Sequence, residues 1–299
     1  MICTLCPRRC GAERTETKGG GVCGMPSLPV VARAALHRWE EPCISGSGGA
    51  GTVFFSGCNL GCIYCQNDPI SRENFGAAIS VQRLREIFRE LKAQGAHNID
   101  LVTPTHFTHI IAEALEEDPG LPVVWNSSGY ETVETLRRLE GKVQIYLPDL
   151  KYATAEAGEK YSRAPDYFEH AAAAILEMHR QVGDYELGED GLLKKGVLIR
   201  HLMLPGELDN TRRCVDWVAQ NFREGEVLFS LMNQYTPQKN AEGLLKRRVT
   251  GAEYKAAKQY MLNCGVTDGF LQDSSSAEAH YTPDFALQGV TAEAPPVAE

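Results

Sequence analysis

The chain has 299 residues, of which 43% are hydrophobic and 23% are charged, and this balance is typical of a globular protein with one large or two small domains. Its formal net charge of −9 argues against a broad surface for nucleic acid or for an anionic membrane. Since no run reaches the length of a membrane-spanning helix and the N-terminus lacks a signal peptide, we expect a cytoplasmic protein without a membrane partner.

The first 24 residues form a Gly-rich segment with four cysteines in the pattern C-x2-C-x3-C-x12-C: Cys3, Cys6, Cys10 and Cys23. Close clustering of cysteines, without a secretory signal, indicates metal binding rather than disulfides. The tight C-x2-C-x3-C spacing favours an auxiliary [4Fe–4S] cluster, because a zinc ribbon prefers two C-x2-C pairs. Structural zinc and mononuclear iron remain alternatives at this auxiliary site. A cluster bound by all four thiolates would relay or accept electrons.

Beyond an apolar stretch at 28–36 and a Ser/Gly-rich segment at 44–51, apolar β-rich runs alternate with segments of helical periodicity. The predicted strands are 52–56, 98–104, 121–127, 143–150, 196–204, 226–232 and 268–272. The predicted helices are 80–94, 106–117, 131–140, 165–183, 210–222 and 250–264. This alternation predicts a parallel sheet with right-handed crossovers, either doubly wound or closed into a partial barrel. Residues 184–195 have the pattern of a hairpin before the fifth strand.

Three cysteines follow the first predicted strand with the spacing C-x3-C-x2-C: Cys58, Cys62 and Cys65. Three thiolates can hold three irons of a [4Fe–4S] cluster and leave the fourth iron open to chelate a small molecule. The alternative, zinc completed by a distant ligand, disagrees with the usual zinc spacings. The motif resembles that of the radical S-adenosylmethionine (SAM) enzymes. The resemblance implies a [4Fe–4S] cluster, bound SAM, and reductive cleavage of SAM to methionine and a 5′-deoxyadenosyl radical.

This resemblance favours the barrel over the doubly wound sheet. The expected fold is therefore α/β, a partial (β/α)6 radical SAM barrel with a small N-terminal Cys-rich metal-binding module. We expect the module at 1–45, the barrel core at 46–285, and a disordered tail at 286–299, which is rich in Ala, Glu and Pro.

Polar residues recur where the predicted strands end, and in a barrel such ends meet at one pocket mouth. Any one of them could be a loop cap, since Asn, Asp and Ser favour turns. Together they predict a shared small-molecule site. The candidates are Thr103, Thr105, His106, Asn126, Ser127, Asp149, Lys151, Arg200 and Asn233.

The cysteine motif together with Asn-Ser-Ser-Gly-Tyr at 126–130, Asp-Leu-Lys at 149–151 and Ile-Arg at 199–200 resembles the glycyl-radical-enzyme activating enzymes. Nearly the whole chain is similar to the pyruvate formate-lyase activating enzyme group. The resemblance implies hydrogen abstraction from a glycine of a large glycyl-radical enzyme. The reductant would be a low-potential flavodoxin or ferredoxin.

The resemblance also implies individual roles. Tyr64 would lie by the adenine of SAM, and Asp149 and Lys151 would meet its methionine end. Asn126 and Ser127 match positions that help to form a cation or carboxylate site, and Arg200 and Thr103 would lie near SAM. For each residue, a cap or a surface ion pair is the alternative.

Two positions depart from the family pattern. Pro104-Thr105-His106 stands where relatives carry Gly-Gly-Glu, so backbone carbonyls and the Thr105 hydroxyl would hold the SAM amino group. His106 either titrates near neutrality beside the pocket or caps the next helix. Asn233 and Gln234 stand where a histidine is common. These departures leave open a small molecule or another peptide as substrate. A non-catalytic Fe–S or zinc protein, with a carrier or structural role, is the alternative of another class.

Overall fold

The computed structural model describes residues 1–239, 241–272 and 283–291. Within these ranges the strands are β1 Val30–His37, β2 Ala50–Phe55, β3 Ala77–Ala78, β4 Ile99–Val102, β5 Val123–Ser127, β6 Ile145–Pro148, β7 Glu186–Leu187, β8 Leu193–Leu202, β9 Leu228–Met232 and β10 Gly269–Leu271. The α-helices of the same ranges are α1 Pro42–Ser45, α2 Asp68–Ser71, α3 Val81–Ala93, α4 Thr108–Ala114, α5 Val133–Leu136, α6 Ala155–Ser162, α7 Tyr167–Val182, α8 Leu208–Asn221 and α9 Gly251–Asn263.

The strands form one sheet in the order β10-β9-β8-β6-β5-β4-β2-β1-β3, with β7 paired to β8. The pairs from β2 to β10 along this order are parallel, whereas β1 pairs antiparallel with β2 and β3. In the described part of the chain, no pairing joins β10 to β3, so the sheet stays open. The predicted α/β fold with a partial (β/α)6 barrel is confirmed, as is the hairpin before β8.

Buried apolar runs explain why the parallel strands form. All residues of β4, β5, β6 and β9 are buried, as expected for strands covered on both faces. The covering helices are amphipathic. In α3, Ser80 caps the N-terminus by accepting from the Arg83 N–H, and one face is buried at Leu84, Ile87, Phe88 and Leu91. No helix of the described residues is long and apolar enough to span a membrane.

The apolar stretch at 28–36 is a strand of the sheet. In β1, Ala34 pairs with Val53 of β2, so the sheet crosses the boundary predicted at residue 45. Part of the tail predicted to be disordered is also packed here, which corrects that prediction for residues 286–291. The Ala34 N–H donates to the Gln288 carbonyl at 2.8 Å, and Val290 is fully buried. Residues 292–299 of the predicted tail lie outside the described residues.

Several helices differ from the sequence prediction, which also lacks the short α1 and α2. The helix expected at 131–140 is only α5 followed by a 3-10 turn at Arg137–Leu139. The sequence prediction missed α6, which begins after Thr154, whose side chain accepts from the Ala157 N–H. This helix brings Ser162 to the cysteine loop described next.

Candidate active site

The three cysteines of the C-x3-C-x2-C motif lie in an irregular loop between β2 and α2. The loop begins at Gly57, whose φ of +78° favours glycine. Each of the three sulfurs accepts a hydrogen bond: Cys58 from the Leu60 N–H (3.4 Å), Cys62 from the Ser162 hydroxyl (3.2 Å) and Cys65 from the Ser71 hydroxyl (3.2 Å). Donors of this kind orient metal-binding thiolates and tune the metal they hold.

Burial keeps the Cys58 and Cys65 thiols protonated unless a cation stabilises the thiolate. Burial, and next the neighbouring Cys62 and Cys65, raise the pKa of Cys58 to about 12. Burial likewise raises the pKa of Cys65. A bound metal cation stabilises the thiolate form, so a cysteine that coordinates a metal releases its proton despite its burial. Three mutually close thiols with donors on their sulfurs therefore fit the ligand set of an iron–sulfur cluster.

Among the described residues, no three Cys, His, Asp or Glu side chains converge closely enough to hold a single metal ion. In a [4Fe–4S] cluster each cysteine binds a different iron, so the cysteines need not converge on one point. The evidence for a cluster at the cysteine loop is therefore the three thiols and the hydrogen bonds to their sulfurs.

A cavity of about 730 Å³ adjoins the cysteine loop, within the range of roughly 300–1,000 Å³ that small-molecule sites occupy. The predicted site residues that line it are Cys62, Tyr64, Cys65, Asn126, Asp149, Lys151 and Arg200. A further part of the lining comes from residues 37–42, which follow β1. The cavity thus connects the cysteine loop to the strand ends.

Arg200 of β8 is the centre of a charged network in this cavity. Its guanidinium contacts Asp149 (Nε to Oδ1, 3.0 Å) and Glu40 (Nη1 to Oε2, 3.1 Å), and it donates to Asn126 (Nη2 to Oδ1, 2.6 Å). Lys151 contacts the other Asp149 oxygen at 2.6 Å. Four predicted residues are therefore brought together, along with Glu40.

The ionised state of the network follows from these contacts. Burial acts to raise the pKa of Asp149, but Arg200 and Lys151 outweigh it and lower the pKa below its usual range. Burial acts to lower the pKa of Arg200, yet the Asp149 and Glu40 carboxylates raise it. The cavity therefore presents fixed cations and carboxylates side by side, which suits a ligand that carries both signs of charge.

Glu40 and Glu41 are two residues lining the cavity that sequence analysis missed. Both follow β1, in the Trp-Glu-Glu-Pro segment at 39–42. Glu41 accepts from the Ser230 hydroxyl at 2.7 Å and is buried, which raises its pKa. Two adjacent glutamates before a proline are visible in the sequence, but no local pattern indicates that their side chains line the cavity.

The sequence model of the radical SAM superfamily matches residues 52–218, which is more than half of the chain and includes the cysteine loop. The chain belongs to the radical SAM superfamily. Membership implies a [4Fe–4S] cluster and SAM as cofactors.

One sequence relative and two solved structures are similar to this radical SAM protein. The uncharacterized protein MJ0674 of Methanocaldococcus jannaschii is 31% identical over 268 residues, covering 85% of this chain and 72% of the relative. The structure of Streptococcus suis SuiB bound to S-adenosylmethionine has a TM-score of 0.51 and 14% identity, covering 84% of this chain and 52% of SuiB. A point mutant of spore photoproduct lyase has a TM-score of 0.51 and 12% identity, covering 80% of this chain and 81% of the lyase. This chain spans about half the length of SuiB, and both structural likenesses show the fold alone.

In this radical SAM protein the end of β4 differs from the sequence expectation. His106 is 1% exposed, does not line the cavity, and its Nε2 donates to the Ser56 carbonyl at 2.7 Å. Burial, with help from Arg14, lowers its pKa to about 3. Neither of the two roles left open for His106 is therefore found: its imidazole lies away from the cavity, and no side chain of the described residues caps α4.

Other predicted residues lie behind the cavity wall. Thr105 and Ser127 both donate to Glu131, at 2.9 Å and 2.7 Å, as does the Trp125 indole at 2.8 Å. Glu131, which sequence analysis missed, thus holds the ends of β4 and β5 together. The Thr105 hydroxyl is committed to this contact.

Thr103 has a φ of +60° and donates its N–H to the Asn126 carbonyl at 2.8 Å. Asn233 is buried and does not line the cavity, whereas Gln234 does. Roles for Thr103 and Asn233 toward SAM stay predictions.

The four N-terminal cysteines lie close together. Burial raises the pKa of Cys6 to about 11, against hydrogen bonds from the Arg8 backbone and the Asn59 side chain, while Cys23 and Cys3 add to the rise. Burial also raises the pKa of Cys23, whose neighbours include Cys3 and Cys10. The Arg14 guanidinium donates to the Cys3 sulfur at 3.5 Å. Donors on the Cys3 and Cys6 sulfurs suit thiolate ligands of a multi-iron cluster, whereas the four thiols do not converge closely enough for a single metal ion.

Proposed function

We propose that this radical SAM enzyme holds its cluster on Cys58, Cys62 and Cys65 and binds SAM in the adjoining cavity. The bound cluster supplies the electron for reductive cleavage of SAM to methionine and the 5′-deoxyadenosyl radical. One observation carries the proposal: of three thiols with hydrogen bonds to sulfur, Cys62 and Cys65 line a cavity of about 730 Å³ that holds buried charges of both signs.

The charges of SAM match those of the network. The methionine part of SAM has a carboxylate, which Lys151 and Arg200 attract, and an ammonium group, which Asp149 and Glu40 attract. Tyr64 lines the cavity between two of the cysteines and offers an aromatic edge or face for adenine. Asn126 accepts from Arg200 and helps to fix its guanidinium, and Ser127 donates to Glu131 behind the cavity wall.

We assign hydrogen abstraction from a glycyl residue of a glycyl-radical enzyme as the reaction on the partner. The resemblance of the motifs at 126–130 and 149–151 supports it. Large apolar side chains at the cavity, Trp39 at 59% exposed and Leu271 at 37% exposed, offer contact surface for a polypeptide. A low-potential flavodoxin or ferredoxin is the proposed reductant, and the cytoplasm is the proposed compartment.

A radical SAM enzyme acting on a small molecule or another peptide is the second candidate. The observation that favours it is that the cavity extends past the predicted strand-end residues to Glu40 and Glu41. SuiB, one of the structures with this fold, has been crystallised with its precursor peptide SuiA.

The test uses anaerobically reconstituted, reduced protein with SAM, and it measures 5′-deoxyadenosine by chromatography. We expect 5′-deoxyadenosine from the wild type and none from Cys62→Ala. None from an iron-loaded wild type would favour a non-catalytic Fe–S or zinc protein. Incubation with a candidate glycyl-radical enzyme should then give the glycyl EPR doublet. Its absence across plausible partners would favour the second candidate.

For the auxiliary site at Cys3, Cys6, Cys10 and Cys23, we propose a second [4Fe–4S] cluster, with zinc as the alternative. Metal analysis of a variant with Cys58, Cys62 and Cys65 changed to Ala separates the two. About four irons per chain in that variant indicate a cubane, whereas zinc contradicts the cluster.

A further inference from the structure

A single side chain of the N-terminal segment reaches into the radical SAM cysteine loop. Arg8 lies between Cys6 and Cys10, and its guanidinium donates to the carbonyls of Asn59 (2.9 Å) and Leu60 (3.0 Å). Both carbonyls belong to the segment between Cys58 and Cys62. The backbone of that segment is therefore held by a residue of the N-terminal cysteine motif.

The same guanidinium holds the segment that follows α6. It donates to the carbonyls of Ser162 at 2.8 Å and Arg163 at 2.5 Å. Ser162 in turn donates its hydroxyl to the Cys62 sulfur at 3.2 Å. Arg8 thus fixes the cysteine loop and also the residue that hydrogen-bonds a predicted cluster ligand.

Asn59 makes a second bridge between the two cysteine sites. It follows Cys58 in the chain, and its side chain lies beside the Cys6 thiol, where it opposes the burial that raises the pKa of that thiol. Its amide also donates to the Tyr130 carbonyl at 2.7 Å. The Arg8 guanidinium lies over the Tyr130 ring, 5.3 Å from the centroid, so Arg8, Asn59 and Tyr130 contact one another through side-chain and backbone groups.

Backbone packing provides an independent third contact. At Gly57, immediately before Cys58, an added Cβ would lie 2.3 Å from Met25 Cγ and 2.9 Å from the Cys23 carbonyl oxygen. The segment that carries Cys23 therefore packs directly on the start of the radical SAM loop. Only a glycine allows this approach at a φ of +78°.

We infer that Arg8 is a positioning residue that couples the N-terminal metal site to the geometry of the Cys58–Cys65 loop. A guanidinium is a rigid, permanently charged fork, and several carbonyl partners fix its orientation. Because Arg8 lies between two predicted ligands, metal binding at the N-terminal site fixes its backbone. Loss of that metal releases Arg8 and with it the cysteine loop. This inference rests on the proposed cluster at Cys58, Cys62 and Cys65.

The first experiment compares Arg8→Ala and Arg8→Lys with Arg9→Ala, since the adjacent Arg9 is exposed. Each variant is reconstituted, and the rate of iron release to a chelator is followed together with the EPR signal that changes on SAM addition. Loss of outer hydrogen bonds to metal ligands weakens metal binding by about 10-fold to 100-fold. We expect Arg8→Ala to release iron from the SAM-responsive site about tenfold faster, Arg8→Lys to show a smaller increase, and Arg9→Ala to match the wild type.

The second experiment removes the N-terminal metal without touching Arg8. Cys10 is exposed, so Cys10→Ser should fold while losing that metal. The inference predicts faster iron release from the SAM-responsive site in Cys10→Ser too. An unchanged rate in Cys10→Ser or in Arg8→Ala overturns it, and Arg8→Lys replaces Arg8→Ala if the latter does not fold. Failure of the proposed function would appear differently, as a wild type whose EPR spectrum does not respond to SAM.

Discussion

Ser162 donates its hydroxyl to the Cys62 sulfur at 3.2 Å, although 100 residues separate the two in the chain. The same hydroxyl is 2.7 Å from the Tyr152 hydroxyl, which is 2.7 Å from that of Tyr64. A chain of buried hydroxyls therefore ends on a predicted cluster ligand. Hydrogen bonds to sulfur raise the reduction potential of iron–sulfur clusters because they stabilise the more negative state.

Ser162→Ala should accordingly lower the reduction potential of the cluster at the cysteine loop. A neutral hydrogen bond contributes about 1 kcal/mol, which is on the order of 40 mV for a one-electron couple. EPR-monitored redox titration of the reconstituted protein measures the shift. Ser47→Ala, at an exposed serine of the loop before β2, is the control and should leave the potential unchanged. Equal potentials in both variants would show that this hydrogen bond does not form to a ligand.

Asp149→Asn should destabilise the fold, because Asp149 contacts both Arg200 and Lys151 and all three side chains are less than one fifth exposed. Breaking a buried ion pair costs about 3–5 kcal/mol, since a charge is left unpaired. Urea unfolding of the metal-free protein measures the change. Asp190→Asn, which breaks an exposed pair with Lys194, is the control and should stay close to the wild type. A small effect of Asp149→Asn would contradict the closed charge network.

Gly57→Ala tests the packing of the N-terminal segment on the cysteine loop. Gly61 serves as a matched control, because its φ of +71° imposes a similar backbone cost while an added Cβ would meet nothing within 4 Å. Overpacking costs about 1–3 kcal/mol, so Gly57→Ala should lower the free energy of unfolding by about that much more than Gly61→Ala. Equal effects of the two substitutions would mean that Met25 does not pack at this position.

The buried His106 should make the free energy of unfolding fall in acid. Its pKa is lowered to about 3 in the folded state by burial, against about 6.5 when unfolded. The unfolded state therefore binds more protons between these values, and the stability present above pH 6.5 is lost as pH falls. Between pH 7 and pH 5 the loss from His106 is about 2 kcal/mol. His106→Gln should remove that share of the pH dependence in urea unfolding; an identical pH dependence would contradict the buried neutral imidazole.

The parallel sheet was predictable because its strands are continuous buried runs. β5, for example, is buried at all five positions, and such a run bounded by turn residues indicates a strand without knowledge of its partners. β1 was recognised only as an apolar stretch, since its antiparallel pairing with β2 has no local signature. α6 was missed because it is short and has only one large apolar side chain, that of Tyr161, so it shows little amphipathic periodicity.

At the site, sequence analysis found the residues that strand ends carry and missed those that reach it from elsewhere. Asn126, Asp149, Lys151 and Arg200 follow from the rule that strand ends converge, and the structure places them in contact. Glu40 lies 160 residues from Arg200 in the chain, so no local pattern could connect the two.

The sequence could not decide the role of His106 for a related reason. An imidazole after a strand is equally compatible with an open pocket and with a buried contact. Only packing decides between them, and here the side chain turns toward the Ser56 carbonyl.

The most direct measurement is the EPR spectrum of the reduced, reconstituted protein recorded with and without SAM. An iron left open by Cys58, Cys62 and Cys65 predicts that SAM changes the spectrum, both in the wild type and in a variant whose N-terminal cysteines are changed to Ser. A reduced cluster at the Cys58–Cys65 loop whose spectrum stays the same at saturating SAM would contradict the account.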